Sequence, residues 1–119
     1  MAKLAKFLQG VAGAAGGAGL NIEDVFSTYL YEGNSSTQSI TNGIDLSGEG
    51  GLVWTKSRNS AIGHYLSDSE RTDISYMLSS NTTAAESNHG NTSISSYNSD
   101  GYSLGSDFIG GVNESGRTY

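Results

Sequence analysis

The apolar residues of this chain come in short runs, and the runs are bounded by Gly, Asn, Ser and Asp. Residues 26–31, 37–41 and 51–56 read as strands, with weaker candidates at 61–67, 74–79 and 93–97. A strand at 102–104 follows a turn at 98–101, and 117–119 begins another after a turn at 113–116. Asn42-Gly43 is a strong turn signal. Short strands at regular spacing, each closed by turn residues, are the pattern of an all-β sandwich or barrel. One short helical turn is expected at 21–24, with Asn21 as its cap and Glu23 and Asp24 at its positive end.

Only 35% of the residues are aliphatic or aromatic, so the core must be thin. Charged residues make up 15%, too few for a charge-expanded disordered chain. Tyr29, Tyr31, Trp54, Tyr65, Tyr76, Tyr97 and Tyr102 nearly all fall in strand candidates, where large rings suit a half-buried pleated surface. The run Leu52-Val53-Trp54 is the most apolar, so this strand is expected to lie centrally in a sheet with Trp54 buried.

Residues 1–20 differ from the rest. Leu4, Phe7, Leu8 and Val11 share one helical stripe, and a Gly/Ala tract follows from Gly10 to Gly19. Glycine weakens a helix by about 1 kcal/mol relative to alanine, so the helix should stop near Gly10. A helix of this length is marginal alone, and its stripe needs another chain to cover it. The chain thus divides into an anchoring or oligomerisation segment, 1–20, and a β module, 21–119. The tract lacks the continuous Leu-rich centre of a secretion signal.

Composition excludes several functions. There is no cysteine, so disulfides and thiolate metal sites are impossible. The formal charge is −6, and the six basic residues are scattered, which is a poor footprint for nucleic acid. No apolar run approaches the roughly 18 residues of a membrane-spanning helix. Gly101-Tyr102-Ser103-Leu104-Gly105 matches the G-x-S-x-G elbow of hydrolases, but a turn precedes the serine and both His64 and His89 lie upstream of it. Asp68, Glu70 and Asp73 form an acidic group with Arg71 inside it, which reads as a solvated loop rather than a calcium site. The two histidines have no neighbouring metal ligand, and the Gly/Ala tract lacks the lysine of a phosphate loop. No catalytic, cofactor-binding or metal residue is assigned, and the module is expected to be non-enzymatic.

Several stretches carry a resemblance: 41–46, 51–58, 76–86, 97–105 and 112–119. In this order they resemble the concanavalin-A-like (laminin-G-like) β-sandwich modules of marine phage virion proteins. The resemblance implies an antiparallel β-sandwich of jelly-roll type and a structural or host-attachment role in the phage tail or tail fibre. Partners would be other tail proteins and further copies of the chain, a trimer by analogy with trimeric fibres. The alternative is a lectin-like module that recognises a host-surface glycan; an enzyme acting on polysaccharide is the least favoured. In the resembling modules the Thr-Tyr segment continues into a Trp-containing strand, so the resemblance implies a longer product and an incomplete sandwich. If residues 1–20 are the anchor, deleting residues 2–19 should leave a soluble β module that no longer joins purified tails. Incorporation at normal occupancy would place the anchor on the β module instead.

Overall fold

The computed structural model describes residues 19, 21–106 and 111–119. Leu4, Phe7, Leu8 and Val11, with the helix expected there, lie outside the described residues. The described chain is a mainly β, antiparallel sandwich of two sheets. Its strands are β1 (Gln38–Thr41), β2 (Leu52–Lys56), β3 (His64–Asp68), β4 (Tyr76–Ser79), β5 (Ser87–Asn88), β6 (Ile94–Asn98) and β7 (Gly101–Leu104). One sheet has the order β1-β7-β6 and the other β2-β3-β4-β5.

Ile40, Tyr102, Leu104 and Ile94 from the first sheet meet Val53 and Met77 from the second, with Leu46 and Val112 from loops. Tyr31, Ile44, Tyr65, Ile74 and Tyr97 pack around this cluster. Polar contacts supplement the apolar ones. The Tyr97 hydroxyl of β6 and the Ser67 hydroxyl of β3 are 2.6 Å apart, which ties the two sheets across the core.

Local turn chemistry behaves as the sequence suggests. Asn21 caps a single 3-10 turn at Ile22–Asp24, its side chain accepting from Glu23 N. Gly43 has φ +82°, and Asn42 N and Gly43 N both donate to Asp100 O, so two turns that are 58 residues apart (100 − 42) lock together. Gly101 begins β7 at φ +153°, and a Cβ there would collide with the Ile40 carbonyl oxygen of β1. The absence of a side chain at 101 therefore sets how closely β7 approaches β1.

Three expectations need correction. Residues 26–30 belong to no strand; at the end of the expected strand Tyr31 exchanges backbone hydrogen bonds with Tyr119. The expected strand at 117–119 is reduced to a single bridge, Glu32 to Thr118. Finally, β2 is not central but terminal in its sheet. Side chains alternate along a strand, and Val53 and Thr55 take the inward positions. Leu52, Trp54 and Lys56 therefore face outward, and Trp54 is 65% exposed.

Two measurements check this packing. Gly101→Val should cost about 3 kcal/mol or more in chemical denaturation, since a left-handed-region penalty of about 1–2 kcal/mol adds to overpacking of about 1–3. A loss under about 1 kcal/mol would contradict the close approach of β1 and β7. Burial pushes the Tyr102 hydroxyl up to about 12; Tyr29 adds to the shift and the hydrogen bond with Tyr31 opposes it. An unfolded tyrosine titrates near 10. Tyr102 thus contributes stability that is complete below pH about 10 and is lost as pH rises towards 12. The melting temperature should fall over that window, and less steeply in Tyr102→Phe.

Candidate functional site

The register of the four-stranded sheet builds one outward surface. Trp54 of β2 stands opposite Leu66 of β3, and Leu66 stands opposite Leu78 of β4. Residues directly opposite in an antiparallel pair share a face and touch. The three side chains therefore form a row across the sheet. Leu52 extends the row along β2, and Tyr76, opposite Asn88, extends it along β4. Leu52 is 61% exposed and Leu78 37%.

Charged and polar groups frame this apolar row. Lys56 faces His64 at one end, and Leu52 faces Asp68 at the other. Arg71 bridges Asp68 and Glu86, with Nε 2.9 Å from Asp68 Oδ2 and Nη1 on Glu86 Oε2. Arg71 thus offsets the acidic group that the sequence places there, and Asp73 turns to the backbone N of Ser75 instead. An apolar centre with a polar frame is the usual form of an interaction surface.

The other candidates assemble differently. Ser103 lies on β7, so strand rather than helix continues through it. Asn98 Nδ2 donates to the Ser103 hydroxyl at 3.0 Å, and Ser39 Oγ is 3.3 Å from it. His89 Nε2 lies 2.9 Å from Ser87 Oγ, and its ring meets the Tyr65 ring edge-on at 5.0 Å. Among the described residues no group of three or more His, Cys, Asp or Glu side chains gathers as metal ligands would. A polar cleft is lined by Glu49, Glu70, Ser69 and Tyr97, among others.

Sequence reasoning placed Trp54 in the core and overlooked Leu66 and Leu78 as its neighbours. A signal was present. Lys56 is two residues from Trp54 and so shares its face in any strand, and lysine is almost never fully buried.

The geometry defines a class: an antiparallel β-sandwich whose four-stranded sheet carries an apolar row, headed by Trp54, on its outer face. A family model described as Domain of unknown function (DUF7483) matches residues 22–119, and the chain belongs to that family. No curated protein and no solved structure matches the chain. Among the described residues no helix is long and apolar enough to cross a membrane.

The outward placement has a direct energetic consequence. Trp54→Ala should change stability by no more than about 0.5 kcal/mol, as at other exposed positions. Met77→Ala, at 1% exposure, should cost about 2–5 kcal/mol. Equal losses in the two variants, read from denaturant midpoints, would return Trp54 to the core.

Proposed function

We propose that the chain is a non-catalytic structural module of a phage tail or tail fibre, held in the virion through residues 1–20 and projecting the sandwich from that anchor. The observation that carries the proposal is the outer face of the four-stranded sheet. A row of outward Trp54, half-buried Leu66 and Leu78 side chains, with Trp54 65% and Leu78 37% exposed, is suited to lie against another protein. The virion itself is drawn from the sequence resemblance over 41–119. Its partners in this reading are other tail proteins and further copies of the chain.

A second reading, host attachment through a surface glycan, is favoured by Trp54 alone. An exposed indole ring presents a flat apolar face of the kind that stacks on sugar rings. Lys56, His64, Asp68 and Asn88 stand on the same face and supply donors and acceptors for hydroxyl groups.

Two assays with the full chain separate these readings. The structural module should be retained on purified tails and give no strong signal on a glycan array. Strong saccharide binding, abolished by Trp54→Ala at unchanged melting temperature, would replace it with the lectin-like reading.

A further inference from the structure

The sequence contains one Asn-Gly pair, Asn42-Gly43. This pair can react with itself. Gly43 N loses its proton to water and attacks Asn42 Cγ. The new N–C bond closes a five-membered succinimide ring, the Cγ–Nδ2 bond breaks and ammonia leaves. Water then opens the ring at either carbonyl. One product is aspartate. The other is isoaspartate, whose main chain runs through Cγ and is one methylene longer. Glycine favours the attack because no Cβ crowds its nitrogen and its backbone turns freely. Asn42 is half-buried and Gly43 exposed, so water reaches the pair.

The fold withholds the nucleophile. Gly43 N donates to Asp100 O at 2.9 Å, and Asn42 N donates to the same oxygen at 3.0 Å. Leu46 N and Ser47 N donate together to Asn98 O at 3.0 and 3.1 Å. Two carbonyls of the β6–β7 hairpin thus take four amides from the 42–47 loop, and the Leu46 side chain pins that loop in the core. The electrophile, in contrast, is already prepared. Asn42 Oδ1 accepts from Ile44 N at 3.1 Å. That bond polarises the Cγ carbonyl and steadies the negative charge that attack puts on Oδ1. It spans two residues and survives when the loop leaves the hairpin. The bonds to Asp100 O are long-range and do not. Local opening therefore frees Gly43 N while the carboxamide stays activated.

We infer that Asn42-Gly43 is a self-modification site gated by the hydrogen bond from Gly43 N to Asp100 O. The closed loop preserves Asn42, and each opening exposes it to succinimide formation. The isoaspartate product separates the two amides that share Asp100 O by one further methylene. The modified loop cannot close in the same register, so an opening is recorded in one direction. This inference stands independently of the proposed function, since it rests on contacts within the module and on water as the reactant.

Peptide mapping of the full chain, incubated at mildly alkaline pH, tests it. The reference is a capped free peptide of residues 39–45. In concentrated urea the chain should deamidate at Asn42 at the peptide's rate, and in native buffer at least tenfold more slowly. The native Gly43 amide should exchange its hydrogen at least tenfold more slowly than in the peptide. Asn42→Gln, which must close a six-membered ring, should keep its mass at this position even in urea. The isoaspartate form, separated from the incubated native chain by its added negative charge, should show the Gly43 amide exchanging at least tenfold faster than the unmodified chain. Three results would overturn the gated site: native deamidation at the peptide's rate, slow deamidation beside a freely exchanging Gly43 amide, or deamidation in urea that spares Asn42. An isoaspartate form with Gly43 as protected as before would overturn the one-way record.

Discussion

The Asn113 side chain is fully buried and makes hydrogen bonds in four directions. Its Nδ2 donates to Ser36 O at 2.6 Å and to Gly105 O at 2.7 Å, and its Oδ1 accepts from Asn34 N at 3.1 Å and from Gln38 Nε2 at 2.5 Å. Gln38 opens β1 and Gly105 follows β7, so this one amide spans the two strands where they pair. Next to it, Val112 O accepts from the Tyr31 hydroxyl, and the Tyr31 and Tyr119 rings stack at 5.0 Å. Orphaning a buried polar group costs about 1–3 kcal/mol, and Asn113 satisfies several at once. In a chain with so few apolar residues, such a polar centre holds the ends of the described chain onto the sandwich, which dispersion and burial alone would do weakly.

How much of this was legible in the sequence depends on the range of the interaction. The Asn21 cap, the Asn42-Gly43 turn and the turn into Gly101 are local and were read correctly, because their chemistry is contained in a few residues. Most strands were found for the same reason. The pairing of β1 with β7 was not legible, since nothing near Ile40 announces a partner some sixty residues on (102 − 40). Asn113 read only as one more turn asparagine. The face of β2 was misread because Leu52, Val53 and Trp54 are all apolar, and an unbroken run hides the period of two. Residues 26–31 have the composition of a strand, but a strand is defined by its neighbour, which composition does not contain.

That misreading matters for function. A buried Trp54 would have left the outer face of the four-stranded sheet without its most exposed apolar side chain. Turned outward, it heads an apolar row that crosses three strands. That row lies within residues 22–119, the stretch that the DUF7483 family model matches.

The outward Trp54 is the point on which the functional account turns, and it is the one tryptophan in the chain. Its fluorescence in the full-length native protein reports directly on its surroundings. Acrylamide is the suitable quencher, because it is neutral and unaffected by the net charge of −6. The account predicts emission at the long wavelength of a hydrated indole, quenched nearly as readily as a free tryptophan amide in water. Blue-shifted emission shielded from acrylamide, in a protein shown to be monomeric, would contradict it.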